Sequence, residues 1–268
     1  MKFVSFNING IRAHIHQLYA VIEKYDPDII GLQETRVENG LFPIEKFVNF
    51  NYHIYLNGQK SRCGVALFSK KKLVDVDIKF FEKDFFEECR IISANILLKE
   101  KTIHIVNIYS PQGGYKKNKD KFEKKRRFYQ DLTKYVRATI GRNENIVVMG
   151  DMNISPDEQD IGISEYHRNK WIKIGKCAFL PEERIWMQEL KSSGLSDTFR
   201  KKSGETEKRF SWFDYRSNGF LRNIGLRIDL ILSSKELFNI CQSSGIDYSI
   251  RNMIRSSDHA PVWADFKI

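Results

Sequence analysis

The chain has 268 residues, 31.5 kDa, room for one large domain or two small ones, and its 41% hydrophobic content suffices for a sizeable core. Forty-four Lys and Arg against 34 Asp and Glu give a formal charge of +10, which favours an anionic partner, nucleic acid or an anionic membrane surface, without choosing between them. No run approaches the roughly 18 apolar residues of a membrane-crossing helix, Met1-Lys2-Phe3-Val4 leads into a strand pattern rather than a signal-peptide core, and Cys63, Cys89, Cys177 and Cys241 lack zinc or disulfide spacing, so a cytoplasmic protein with free thiols is expected.

The first segment, "KFVSFNI", reads as a strand. Gln17 to Tyr25 ("QLYAVIEKY") follows as a short amphipathic helix stopped near Pro27, and "DIIGL" as a second strand, a βαβ-like opening. The segments "GVALFSK", "RIISANILL", "TIHIVNIY", "NIVVMG", "RIDLILSS" and "APVWADF" are rich in Ile, Val and Phe and of strand length. Between them Phe122, Tyr129, Leu132 and Val136 mark one helical face, and Pro181-Glu182-Glu183 opens a helix that carries Ile185, Trp186 and Leu190 and ends near Gly194. No linker, composition break or fixed-period repeat divides the chain, so residues 1–268 are read as a single domain of layered α/β type.

Four segments end or begin their strands in polar residues. "FVSFNING" ends in Asn7 and Asn9, "DIIGLQET" in Gln33 and Glu34, "IVVMGDMN" in Asp151 and Asn153, and "SSDHAPVWADF" places Asp258 and His259 just before its strand. Residues two apart in extended chain point the same way, so Asp151 and Asn153 can address one site. Each motif alone fits a turn or a cap; Ser155-Pro156-Asp157-Glu158 reads as a capping box behind the strand. Together they assemble the hard oxygen donors of a magnesium site, and a divalent cation would let such acids face a phosphate. His259 follows Asp258 and can also pair with Asp229, the lone acid of "LRIDLIL". Asp229 bonded to backbone or to Arg227 is the alternative.

With these residues in place, the chain resembles the exodeoxyribonuclease III family of abasic-site endonucleases, within the endonuclease/exonuclease/phosphatase superfamily. "MKFVSFNINGIRA", "DIIGLQET", "YSPQG", "VVMGDMNISP", "DIGI", "GKCAFLPEER", "RFSWFDYRS", "GLRIDLILSS", "GIDY" and "SDHAPVWADF" occur in the family's order, nearly from end to end. The resemblance implies an α/β (α+β) fold, a four-layered αββα sandwich of the DNase I-like kind with the active site at one edge of two packed sheets. It implies a Mg²⁺ site, open to Mn²⁺, built from Asn7, Glu34, Asp151, Asn153, Asp258 and His259. It places Tyr109 at the reacting phosphate, makes Asp151 the group that activates water or protonates the leaving group, and has Asn153 position Asp151 or the phosphate. The Asp229–His259 pair then stabilises the transition state. The activity implied is base-excision repair on double-stranded DNA, especially abasic or 3′-blocked. That means incision 5′ to abasic sites, 3′-to-5′ exonuclease and 3′-phosphatase cleaning, performed by a monomer. Ser110 departs from the pattern, which often has a bulkier apolar residue there.

For substrate contacts, "KKNKDKFEKKRR" from Lys116 to Arg127 places eight Lys or Arg against two acids, a run that fits a solvated helix face as well as a DNA-contacting one. "RFSWFDYRSNGF" is rich in aromatics, of which Phe210 and Tyr215 are read as packing residues. By resemblance, Trp212 and Leu226 form the pocket for a flipped, baseless sugar, and Arg90 and Gln112 contact phosphate. A phosphoesterase of the same superfamily acting on inositol phosphate or lipid head groups, and a non-catalytic nucleic-acid-binding module, are the competing readings. The intact set Glu34, Asp151, Asn153, Asp229 and His259 argues against the module.

Overall fold

The computed structural model describes residues 1–78, 88–99, 101–142, 145–203 and 207–268. Two six-stranded sheets dominate it. The first contains β1 (Lys2–Asn7), β2 (Ile29–Gln33), β3 (His53–Asn57), β4 (Val65–Ser69), β11 (Cys241–Ile246) and β12 (Val262–Phe266), in the order β11-β12-β1-β2-β4-β3. The second contains β5 (Val74–Asp77), β6 (Ile91–Leu97), β7 (Thr102–Tyr109), β8 (Asn145–Asp151), β9 (Leu195–Asp197) and β10 (Asp229–Ser234), in the order β5-β6-β7-β8-β10-β9. Each sheet carries one parallel pair at its centre, β1 with β2 and β7 with β8, and these two pairs supply most of the site.

Strand periodicity sorts the side chains into layers. Along β1, Phe3 joins the core between the sheets while Val4 and Phe6 face α1 (Ile11–Tyr25) with Leu18, Val21 and Ile22. Along β8, Val147 and Met149 face the other sheet, while Ile146 and Val148 pack under α2 (Lys119–Gly141) and α4 (Pro181–Ser192). The result is helix, sheet, sheet, helix, as the resemblance implies. Gly31 on β2 leaves room for side chains of the facing sheet: an added Cβ would lie 2.7 Å from Asn107 Oδ1 and from Met149 Cε. Among the described residues no helix is long and apolar enough to cross a membrane.

Two sequence expectations need correction. The first helix begins at Ile11, six residues before Gln17, and passes a non-helical His14 (φ −120°) that breaks its apolar stripe. Ser155 is not a helix cap: the short 3-10 turn Glu158–Asp160 is capped by Asp157, with the Asp160 side chain reaching back to complete the box. Ser155 is instead fully buried, its backbone N–H donating to Ala178 O.

Candidate active site

The inward parity of each central strand ends in a polar residue. In β1 the series Phe3, Ser5 ends in Asn7; in β8 Val147, Met149 ends in Asp151; in β10 Ile231 is preceded by Asp229; in β7 Ile103, Ile105 and Asn107 end in Tyr109. Because the sheets face each other, the residues that continue the core inward meet at one end of it. Asp229 lies opposite Asp151, and Tyr109 beside Asp151, in the strand registers.

Asn7 Nδ2 donates to both carboxylates, 3.0 Å to Glu34 Oε1 and 2.9 Å to Asp151 Oδ2, and Asn7 Oδ1 accepts the Asn9 backbone N–H. Asp151 Oδ1 accepts the backbone N–H of Asn153 at 2.9 Å. His259 Nδ1 lies 2.8 Å from Asp229 Oδ2, and its Nε2 lies 3.9 Å from Asp151 Oδ2. The alternative partner for Asp229 is thereby removed, because Arg227 is committed to Asp160 and Asp197. Glu34, Asn9 and Asn153 all have positive φ (51°, 49° and 50°). That left-handed backbone is tolerated by Asn and costly for Glu.

Burial and like charge set the proton affinities. Asp151 is pushed up to about 7, first by burial and then by the neighbouring Asp229 and Glu34, with His259 and the Asn153 N–H acting against the shift. Burial opposes a charge on His259, but the Asp229 carboxylate, with Asp151 and Asp258 behind it, prevails and raises the imidazole to about 10. Burial also acts against charge on Glu34, yet the Asn7 amide and the Arg36 guanidinium hold its carboxyl below the usual range. Burial, reinforced by Glu34 and Asp151, raises the Tyr109 phenol well above its ordinary value, so it stays protonated.

The donor set fits a divalent cation: Glu34, Asp151 and His259 each offer an atom within 4.8 Å of the others. Two of the three are hard oxygen donors, and the negative charges of Asp229 and Glu34 add to the burial that raises Asp151, a load that a cation would relieve. Asp258 lies at the margin, Oδ1 accepting from Asn9 Nδ2 at 2.8 Å and Oδ2 from Trp212 Nε1 at 2.9 Å. Asn153 Nδ2 donates to Ser110 O at 2.9 Å. Ser110, the departure from the family pattern, is fully buried, and its own N–H donates to Asp151 O.

Trp212 and Leu226 are adjacent as expected, joined by reciprocal backbone hydrogen bonds of 2.9 Å and backed by Ile161, Phe179 and Ile228. Gln112 is exposed at the rim. Arg90 is engaged within the protein: it pairs with Glu88, donates to Tyr109 O at 3.1 Å and lies over the Tyr109 ring at 4.7 Å. Phe210 is buried, whereas Tyr215 is half-exposed with its hydroxyl on Ser256 O. Gln33, which the sequence pattern grouped with the site, points into the inter-sheet core, donating to Asn107 Oδ1 at 2.6 Å and Ser5 Oγ at 3.1 Å.

Sequence reasoning missed Arg36, Ser257 and Lys125. Arg36 clamps Glu34, but both residues have left-handed backbone just past the end of β2, so no strand periodicity signalled the pair. Ser257 Oγ donates to Asn7 O and accepts the His259 N–H, tying two site strands together. Lys125 belongs to the basic run but is fully buried, four residues before Tyr129 on the apolar face of α2.

A family model described as the Endonuclease/Exonuclease/phosphatase family matches residues 4–259. The chain is 48% identical over 267 residues to exodeoxyribonuclease III of Haemophilus influenzae, covering 100% of both chains. Among solved structures it is similar to an AP endonuclease from Archaeoglobus fulgidus (TM-score 0.90, 31% identity) and to the 3′ phosphatase NExo from Neisseria bound to product DNA hairpin (TM-score 0.90, 30% identity), each covering 100% of both chains.

Proposed function

The chain belongs to the Endonuclease/Exonuclease/phosphatase family, and from that premise we propose how its site works. It is a DNA-repair nuclease of the exodeoxyribonuclease III kind, a hydrolase of DNA phosphodiester bonds. In the finer reading it depends on Mg²⁺, with Mn²⁺ as a substitute. It cuts 5′ to abasic sites in double-stranded DNA and clears 3′-blocked ends. It works as a cytoplasmic monomer whose residues 1–268 form one catalytic unit.

The observation that carries this reading is the meeting of Glu34, Asp151 and the Asp229–His259 pair at the joined ends of the two sheets. Glu34 and Asp151 would hold the metal, with Asp258 nearby, while Asn7 bridges the two carboxylates. When bound, the ion supplies Lewis-acid polarisation of a phosphoryl oxygen. Asp151, at the end of β8 opposite Asp229, takes the proton of the attacking water. His259 carries a proton on both nitrogens, so it is a donor to the phosphate rather than the metal ligand that the sequence pattern allowed. The protonated Tyr109 donates beside it. Asn153 acts on Asp151 through its backbone N–H and on the Ser110 turn through its side chain. Trp212 and Leu226 form the apolar seat for a sugar that has no base to unstack. Gln112 reaches phosphate from the rim, and Arg90 acts there by bracing Tyr109.

The test is a duplex with one abasic site, an undamaged duplex and a phosphoinositide, each incubated with the protein and Mg²⁺. Cleavage of the abasic strand to a 3′-hydroxyl and a 5′-deoxyribose phosphate is expected. Preferential turnover of the phosphoinositide would transfer the site to the head-group reading.

A further inference from the structure

Lys125 contradicts its surroundings in sequence. The run Lys116 to Arg127 is basic and largely exposed, yet Lys125 has no exposed surface, and its Nζ has three acceptors. These are Glu183 Oε1 at 2.5 Å, Asn153 O at 2.8 Å and Gln112 O at 3.2 Å, one for each proton of the ammonium. The second Glu183 oxygen accepts the N–H groups of Ala178 and Leu180, both at 2.8 Å, so the carboxylate is fully used as well. One helical turn further along α2, the fully buried Tyr129 donates its hydroxyl to Met152 O.

Residues 125 and 129 thus grip two consecutive carbonyls, those of Asn153 and Met152, immediately after Asp151. The gripped turn is the one that aims the site: Asn153 has positive φ, its N–H fixes Asp151 Oδ1, and its side chain fixes Ser110 O. Lys125 also holds the carbonyl of Gln112, at the far end of the loop that begins at Tyr109 and Ser110. We infer that Lys125 and Tyr129, with Glu183 as counter-ion, are positioning residues that set the Asp151–Asn153 turn and the Tyr109–Gln112 loop for phosphodiester hydrolysis. This inference rests on the nuclease reading above. A buried ion pair is a poor source of net stability, because desolvation offsets its Coulomb attraction, so an orienting duty accounts for the pair better than stability does.

Two variants separate positioning from folding. Tyr129→Phe removes one hydroxyl, and Lys125→Gln/Glu183→Gln removes both charges while leaving amide groups to satisfy the caps. Thermal unfolding, then kcat and KM on the abasic duplex with Mg²⁺, are measured beside wild type. Orienting partners behind a site typically change rates about 10–100-fold, so the paired substitution should lower kcat by that factor and Tyr129→Phe, which removes one bond of the set, by about tenfold, with KM within about threefold. Combining all three should cost less than the product of the separate losses, since all act on one turn. A folded Tyr129→Phe or paired variant with wild-type kcat overturns the inference, as does a rise in KM at constant kcat. If the paired variant does not fold, Tyr129→Phe decides alone. An inactive wild type on the same duplex would instead count against the nuclease reading.

Discussion

Asp151 and His259 are separated by 3.9 Å and are shifted in the same direction for different reasons. Asp151 rises to about 7 because burial, Asp229 and Glu34 disfavour its charge, while His259 rises to about 10 because Asp229 favours its charge. Between those values the site holds an ionised Asp151 and a protonated His259, the pair of states that a proton acceptor and a cationic donor require. A His whose folded value lies above its unfolded value of about 6.5 contributes stability that is fully present below pH 6.5 and is lost as pH rises through about 10. In metal-free protein, the His259 imidazole should therefore remain protonated at pH 8 by NMR. Asp229→Asn should move its midpoint back toward about 6.5, since the first charge that favours the imidazolium is then gone. A wild-type midpoint near 6.5 would remove the donor role.

At the scale of elements, the strands that carry the site were legible because nearly all are buried on both faces and therefore read as apolar runs, with β12 alternating buried and half-buried positions. β1, β2, β7, β8, β10 and β12 coincide with segments recognised from the sequence, and Asn7, Glu34, Tyr109, Asp151 and Asp229 sit at or next to their ends, with Asp258 and His259 shortly before β12. The unread strands have no such signal: β11, "CQSSGI", is a largely polar edge strand, β3, "HIYLN", is an edge strand buried only at Asn57, β5 is exposed along most of its length, and β9 has three residues. α3 (Glu165–Lys173) has no buried residue and so no stripe to detect. Lys125 was hidden by the opposite effect, a charged residue on an apolar face whose partner Glu183 lies 58 positions away. How closely the sheets approach was not legible either, because it depends on contacts such as Gly31 against Asn107 and Met149. Gly31→Ala should force these neighbours apart and destabilise the protein by about 1–3 kcal/mol in urea unfolding, the usual cost of overpacking a filled core. An unchanged midpoint would mean that the inter-sheet space has slack.

For the whole molecule, the chain carries an excess of ten positive charges, yet its centre is built around carboxylates. The separation makes sense if the exposed cations of the Lys116 to Arg127 run, such as Lys117, Lys119 and Lys121, attract a phosphate backbone while the acids act on one phosphate through a cation. Binding and cleavage should then be separable, since one belongs to the surface and the other to the joined ends of the sheets. Asp151→Asn preserves the shape of the side chain but turns one of its two accepting oxygens into an NH2 donor, so it removes the proton acceptor, a contribution of about 10²–10⁴-fold in rate, together with an oxygen donor for the cation. The most direct measurement follows one abasic duplex with Mg²⁺, with EDTA in place of Mg²⁺, and with Asp151→Asn, recording strand cleavage and DNA binding in each case. Cleavage by wild type with Mg²⁺ alone, and binding in all three, is the predicted result. Cleavage near the wild-type rate in EDTA, or by Asp151→Asn with Mg²⁺, would contradict the account.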